Sequence, residues 1–257
     1  MAYIEINDVS KVYQHEGEPF HALDRVSLEV EKGEFICLLG PSGCGKTTLL
    51  SMLAGFEHPD SGSILIDGAE VTGPVPNRVT IFQHYGLLPW QTVEKNVMLG
   101  LLAKKVPKEQ ARATAAKYIE LVGLSGFEHV RPAQLSGGMQ QRVSIARGLA
   151  VQPDVLFMDE PFGALDAITR LKMQDDIHRI AEEEGVTVIF VTHDIEEAVV
   201  LADRIVVLTP NPGHVKEVVK VELGPDRLRT GSDFLAVRDH VFDVFGMKPN
   251  WDVEYVI

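Results

Sequence analysis

EFICLLGPSGCGKTTLLSMLAG, residues 34 to 55, is the stretch from which the rest of the chain is read. An apolar run, FICLL, stops at Gly40, a glycine-rich loop follows, and Thr47 opens an amphipathic segment that reaches Gly55. A short apolar run bounded by glycine has the length of a buried strand, and LLSMLAG has the pattern and the glycine stop of a helix. Gly40, Gly45, Lys46 and Thr47 satisfy the spacing GxxxxGK[ST]. The physics of that spacing is specific: the glycines let successive backbone N–H groups turn inward onto phosphate oxygens. The helix start adds its positive dipole end and unpaired donors. Along Gly40, Pro41, Ser42, Gly43, Cys44, Gly45, Lys46, Thr47 and Thr48, the lysine then reaches the terminal phosphates and the Thr47 hydroxyl can ligate Mg²⁺. A glycine-rich turn before a helix needs no ligand, but the strand before it and the helix after it put the motif where nucleotide phosphate binding requires it.

Working outward, 257 residues with 45% hydrophobic content suffice for one large α/β domain, or for one domain with an inserted subdomain. The longest apolar stretches, such as Val186 to Val191, fall far short of the ~18 to 20 residues of a membrane span. MAYIEINDVSKV lacks the basic-then-apolar order of a secretory signal, so a cytoplasmic protein is expected, with any membrane association coming through a partner. A net charge of −13 argues against a nucleic-acid backbone as partner, and against unaided adhesion to anionic lipid. A disulfide between Cys37 and Cys44 would tie the strand to the loop that must wrap phosphate, so both are expected as free thiols, Cys37 in the core and Cys44 as a loop filler.

Upstream, YIEINDV and VSLEV alternate in the manner of strands around the polar turn HEGEP, which predicts two or three antiparallel strands. Tyr13 lies in their connection. Its ring either packs on a neighbouring strand or offers a face to an adenine base. Downstream, SILIDG reads as a strand, and VTIFQ as a buried strand that ends in Gln83, which is a polar terminus or a functional group. Leu87, Leu88, Pro89 and Trp90 form an apolar cluster without a period; core packing is the default for such residues, and a docking patch is the alternative. Ala111, Ala115, Tyr118 and Val122 recur at helical spacing and predict a helix over 107–122 that stops at Gly123.

LSGGMQQR, residues 135 to 142, puts Ser136, Gly137 and Gly138 where a helix would begin, a helix cap or a second anion site. VLFMDEP is an apolar strand ending in Asp159 and Glu160. Beside a phosphate loop, the first acid suits the Mg²⁺ shell and the second can act as general base on a water attacking a γ-phosphate, although two solvated acids would also end a strand so. TVIFVTHD repeats the arrangement and brings His193 to a strand's carboxyl end, where ligands of open α/β sheets bind. RIVVLTP and HVKEVVKVEL supply further strands, and Phe234, Val237, Val241 and Val244 form a helical stripe over 233–245.

Taken together, these residues resemble the ATP-binding cassette family over nearly the whole chain. GPSGCGKTT is similar to its Walker A motif, Gln83 to its Q-loop, LSGGMQQR to its signature, VLFMDEP to its Walker B motif, ALD at 164–166 to its D-loop and His193 to its switch histidine. Tyr13 falls where the family's adenine-stacking aromatic lies. The resemblance implies an α/β fold: a P-loop NTPase (RecA-like) core with a mainly parallel sheet, an N-terminal antiparallel β subdomain and an inserted α-helical subdomain. It implies an ATPase domain over 1–225 with the insertion at about 89–149, and a helical tail over 226–257. ATP and Mg²⁺ are the implied cofactors, with Thr47, Gln83 and Asp159 around the metal and Lys46, Gln83, Glu160 and His193 in hydrolysis. In a head-to-tail dimer each nucleotide would lie between residues 40–48 of one copy and Ser136, Gly137, Gly138 and Asp166 of the other.

GLLPW, PFGALDAITR, HDIEEAV and TPNPG look like the ATPase subunits of importers for nitrate, aliphatic sulfonates and taurine. That likeness implies membrane permease subunits docking near Gln83 and Leu87 to Trp90, a solute-binding protein acting indirectly, no nucleic acid, and a peripheral place on the inner face of the cell membrane. Two other classes share features: a soluble cassette ATPase of repair or translation, which commonly carries two cassettes or long insertions, and a P-loop kinase or GTPase. The latter shares residues 40 to 48 but does not explain LSGGMQQR, and the chain has no NKxD guanine-reading motif.

Overall fold

A computed structural model describes residues 2–15, 17–224 and 227–246. Two sheets meet across a shared core. The first is antiparallel, in the order β2–β1–β4–β5, from β1 (Ile4–His15), β2 (Glu18–Val30), β4 (Ser61–Ile66) and the short β5 (Ala69–Glu70). Ile4 stands opposite Val30 on one side and Ile66 on the other, so the inward-facing residues of three strands share one face.

The second sheet runs β10–β9–β3–β8–β7–β6. Its strands are β3 (Phe35–Leu39), β6 (Arg78–Ile81), β7 (Val155–Asp159), β8 (Thr187–Thr192), β9 (Arg204–Thr209) and β10 (His214–Lys220). All pairs are parallel except β10, which closes the edge against β9 in the antiparallel sense. Strands β3, β7 and β8 are buried at every position, which is why FICLL, VLFMD and TVIFVT read as unbroken apolar runs rather than alternations. Successive side chains still point to opposite faces. Ile36, Leu38, Phe157, Ile189 and Val191 join the antiparallel sheet and the helix after the loop, while Phe35, Cys37, Leu39, Met158 and Phe190 join the helices of the other face.

Those helices are α1 (Lys46–Leu53), α2 (Val93–Ala103), α3 (Lys108–Leu121), α4 (Gly137–Ala150), α5 (Ala167–Glu184), α6 (Ile195–Leu201) and α7 (Ser232–Val244), with a 3₁₀ turn at Pro132–Gln134. Helices α2, α3 and α4 stand between β6 and β7 in the chain and pack on one another. The expected stripe of α3 is buried in full: Ala111, Ala115, Tyr118 and Val122 all lie in the core. In α7, Phe234, Val241 and Val244 are buried, and the helix packs against α6 and β10. The remainder of the expected tail, 226 and 247–257, lies outside the described residues.

Three local expectations change. Strand β6 ends at Ile81, where its pairing with Met158 stops, so Gln83 is not a strand terminus but sits exposed in the bend beyond it. Cys44 is no loop filler: it is fully buried and packs with Leu49 and Leu50 of α1, and both cysteines are free thiols. In the cluster after Gln83, Leu87 packs against the core while Trp90 stands 66% exposed, because the chain there turns over the surface before Thr92 caps α2 through a hydrogen bond from the Lys95 N–H (3.4 Å). Helix α2 itself was not expected from the sequence.

Candidate functional site

The site begins where β3 ends. Gly45, the N-cap of α1, holds φ at 89°, and no side chain caps the helix, so its first N–H groups are left for a ligand. A Cβ at Gly45 would lie 2.5 Å from Leu23 Cδ2 and 2.8 Å from the Ala22 carbonyl, so both conformation and space require glycine there. The Lys46 ammonium is nearly buried and donates to the loop's own carbonyls, Gly40 O at 2.6 Å and Pro41 O at 3.0 Å. It is thus folded back over its own loop and lines the same cavity as Ser42, Gly43 and Gly45.

Across the sheet, the Thr47 hydroxyl donates to Asp159 Oδ1 at 3.2 Å. Burial raises the Asp159 carboxyl above the usual range and the neighbouring Glu160 charge adds to this, while the Thr47 hydrogen bond and Lys46 oppose it. Such a carboxylate gains from a cation. Two hard oxygen donors beside a phosphate cradle fit Mg²⁺, which is commonly held by one or two protein groups plus phosphate and water. Among the described residues no cluster of three or more His, Cys, Asp or Glu could hold a metal without such help.

Glu160 follows at once, with φ of 46°, a left-handed conformation costly for a residue with a side chain. Its N–H donates to the Val191 carbonyl at 3.0 Å, which turns the chain off the sheet and sends the carboxylate to the strand's end. There its Oε1 lies 3.0 Å from His193 Nδ1, at the end of β8. Glu160 also lines a cavity of about 300 Å³ together with Ser42, Lys46, Thr47, Tyr13 and Phe20. Tyr13 and Phe20 are cross-strand partners on β1 and β2 and are 36% and 41% exposed, so two ring faces flank the phosphate loop. Phe20 was missed in the sequence; its signal was its place opposite Tyr13 across the turn. Carboxylate, ammonium and glycine-rich backbone around one cavity, with an imidazole hydrogen-bonded to the carboxylate, can bind a nucleotide's phosphates and activate water.

The other expected residues lie elsewhere. Ser136 caps α4, its hydroxyl accepting from the Met139 N–H at 3.2 Å. A Cβ on Gly137 would lie 2.7 Å from the Tyr85 hydroxyl, and one on Gly138 3.1 Å from the Ala164 carbonyl. Asp166 caps α5 and accepts from the Thr169 N–H at 3.0 Å, and that backbone bond holds its carboxyl below the usual range. None of Gln83, Ser136, Gly137, Gly138 or Asp166 lines the cavity of Lys46 and Glu160.

Two further residues escaped the sequence. Arg147 of α4 donates to Gly86 O (2.7 Å) and Tyr85 O (3.0 Å), tying the segment after Gln83 to the helix that Ser136 caps. Asn96 of α2, fully buried, accepts from the Leu88 N–H at 2.8 Å and donates to the carbonyls of Leu88, Gln91 and Thr92. It fixes the loop that displays Trp90. A second, mostly apolar cavity of about 370 Å³ lies between β6, α2 and α4, lined by Val79, Leu99, Ala103, Val151 and Arg147, the residue that bonds Gly86.

The family model described as ABC transporter matches residues 23–163, from within β2 to the turn after Glu160. The chain belongs to the ABC transporter family. It is an ATPase of that family, whose members bind ATP with Mg²⁺. Among its ABC relatives, an uncharacterized ABC transporter ATP-binding protein of Methanocaldococcus jannaschii is 49% identical over 94% of this chain and 90% of its own length. The taurine import ATP-binding protein of Yersinia pseudotuberculosis is 48% identical, covering 89% and 92%. The nitrate import ATP-binding protein NrtC of Synechocystis is 45% identical over 89% of this chain, which spans only 35% of that larger protein. Of solved structures, an ABC cassette described as a dimer in a post-hydrolysis state, bound to ADP and Pi, matches with a TM-score of 0.79 at 33% identity, covering 86% of this chain and all of that one.

Proposed function

We propose that this ABC ATPase powers an importer from the cytoplasmic face of the membrane, working as a head-to-tail pair of copies that closes on two ATP molecules. The observation that carries the reading is the division of the site. The phosphate loop and Glu160 line one cavity and His193 is hydrogen-bonded to that glutamate, while Ser136 to Gly138 at the donor-bearing start of α4 neither line it nor bond to Glu160. Each half is incomplete, and a second copy placed head to tail makes both complete. The dimeric cassette with ADP and Pi supports that arrangement.

In the closed pair Tyr13 stacks on adenine, residues 40–48 hold the phosphates, and Lys46 exchanges its loop carbonyls for phosphate oxygens. Thr47 and Asp159, with Gln83, would hold Mg²⁺, which would supply charge neutralisation on the phosphates. Glu160 accepts the proton of the attacking water, and His193, 3.0 Å from it, fixes the carboxylate and faces the γ-phosphate. Ser136, Gly137 and Gly138 of the second copy offer hydroxyl and N–H donors to the same phosphate, and Asp166 lies at the seam. The apolar cavity between β6, α2 and α4 receives a short helix of a membrane permease; its lining and the exposed Trp90 support an apolar partner. The names of the taurine and nitrate relatives support a small anionic or zwitterionic cargo, delivered to the permease by a solute-binding protein.

The test is Glu160→Gln. The variant is expected to bind ATP with parental affinity, to turn over about 10²- to 10⁴-fold more slowly, the worth of a general base, and to accumulate as an ATP-dependent dimer in analytical ultracentrifugation. Parental turnover, or a monomer at saturating ATP, would overturn the reading. Purification from membranes with no integral membrane subunit attached would overturn the importer assignment while leaving the ATPase intact.

A further inference from the structure

A buried polar chain runs behind the site, on residues that the phosphate chemistry does not use. Glu197 of α6 is 8% exposed, an unusual place for a carboxylate. Its Oε2 accepts from the Thr192 hydroxyl at 2.8 Å, and that hydroxyl accepts from the Asp194 N–H at 3.0 Å. His193, the residue facing Glu160, is therefore bracketed by two neighbours held through one carboxylate oxygen. The other oxygen, Oε1, accepts from Gln174 Nε2 at 3.0 Å and lies 4.0 Å from Arg170 Nε. Arg170 in turn donates from Nη2 to the Leu165 carbonyl at 3.2 Å, immediately before Asp166. Gln174 accepts from Arg229, which belongs to the segment leading into α7.

One side chain thus joins the turn that carries His193, the turn that carries Asp166, and the chain beyond β10. Burying a carboxylate costs free energy, and a packed apolar residue is often as stable or more so. Stability alone gives a weak reason for a carboxylate there. Burial raises the Glu197 carboxyl above its usual range, and the Thr192 hydrogen bond and Arg170 act against that.

We propose that Glu197 is a positioning residue for ATP hydrolysis: through Thr192 it sets His193 against Glu160, and through Arg170 and Gln174 it holds the Asp166 turn in register with that histidine. The inference rests on the proposed site, in which His193 and Asp166 face the same nucleotide from opposite copies. Small displacements of a reacting constellation cost rate rather than binding, so the signature is a fall in kcat with KM unchanged.

The hydrogen-bond geometry supplies its own test. In Glu197→Gln the amide oxygen can still accept from Thr192, but its NH₂ then meets Gln174 Nε2, donor against donor, and Gln174 cannot turn over because Arg229 donates to its oxygen. The exchange Glu197→Gln with Gln174→Glu restores every hydrogen bond among positions 192, 197, 174 and 229, and keeps a carboxylate near Arg170 at position 174, four residues along the same helix. The Thr192 hydroxyl donates to the amide oxygen at position 197, the amide NH₂ there donates to the carboxylate at position 174, and Arg229 keeps an acceptor. In the full-length chain, steady-state ATPase, ATP affinity by calorimetry and melting temperature are measured for parent, single variant and exchange. Glu197→Gln is expected to lower kcat about tenfold with ATP KM and Kd within about twofold, and the exchange to return kcat to within about threefold of the parent.

A single variant with kcat within about twofold of the parent overturns the proposal, as does an exchange that regains melting temperature without kcat. If Glu197→Gln does not fold, Thr192→Val decides: it removes the hydroxyl that links Glu197 to the Asp194 N–H and leaves Glu197 in place, and normal kcat in it refutes the proposal. Equal turnover of parent and Glu160→Gln would instead overturn the site on which the inference rests.

Discussion

Asn96→Ala tests how the exposed loop after Gln83 is held. The side chain makes four hydrogen bonds, but they are not equal in what their loss would cost. The Thr92 carbonyl keeps the Asn96 backbone N–H (2.9 Å), the Leu88 carbonyl keeps the Gln91 N–H (3.1 Å), and the Gln91 carbonyl is half-exposed and can turn to water. Only the Leu88 N–H loses its sole acceptor among the described residues. An orphaned donor costs about 1 to 3 kcal/mol. Against this, alanine is favoured over asparagine in a helix by about 0.5 to 0.7 kcal/mol. The net destabilisation is therefore about 0.3 to 2.5 kcal/mol, not the 4 or more that about 1 kcal/mol per bond would give. Urea unfolding at unchanged m-value measures the total, and amide exchange of Leu88, Gln91 and Trp90 measures where it falls. Protection of the Leu88 amide should drop by about tenfold or more, since about 1.4 kcal/mol is a factor of ten. Unchanged protection at Leu88, or a loss above about 4 kcal/mol, would refute the reasoning.

Lys46→Ala removes a charge-assisted donor to phosphate, worth about 1.5 to 3 kcal/mol, so ATP should bind roughly ten- to a hundredfold more weakly by calorimetry; unchanged affinity would contradict the lysine's assignment. Tyr13→Ala should weaken ATP by about 1 to 3 kcal/mol if the ring stacks on adenine, with a smaller effect on inorganic triphosphate, whereas equal losses for both would deny the stacking. Tyr118 is buried with its hydroxyl 3.1 Å from Glu184 Oε1, and burial first, with the Glu184 charge, pushes its pKa from 10.0 to about 12. The proton is held more tightly in the folded state, so the stability linked to it is complete below about pH 10 and is lost as pH rises through about 12. Alkaline unfolding should lose up to about 3 kcal/mol across that window, and Tyr118→Phe should flatten this part of the pH profile; an unaltered profile would refute the linkage.

The residues legible in the sequence share one property: their role depends on close neighbours along the chain. GxxxxGKT is readable because the glycines, the lysine and the helix start act within one loop, and FICLL, VLFMD and TVIFVT are readable because burial on both faces demands apolar residues at every step. Ser136 was legible as a helix start for the same reason, since a cap bonds three residues ahead; Asp166, which caps α5 in the same way, was singled out only through the family resemblance. Helix α2 was hidden because an apolar, aperiodic loop runs straight into it and a glycine interrupts it.

Tertiary structure alone decided the rest. Arg147 bonds Gly86 across 61 residues, Gln174 bonds Glu197 across 23 and Arg229 bonds Gln174 across 55. In the sequence each is an ordinary polar residue on a helix or in a connection. Only the fold, by bringing those segments within hydrogen-bonding distance and excluding water between them, turns such side chains into the supports of a site. The sequence by itself determined which loop has the spacing of a phosphate cradle and which strand ends carry the acids and the histidine. Whether the start of α4 shares a cavity with that loop within one chain depended on the packing of distant segments, and in the fold Ser136 to Gly138 do not line it.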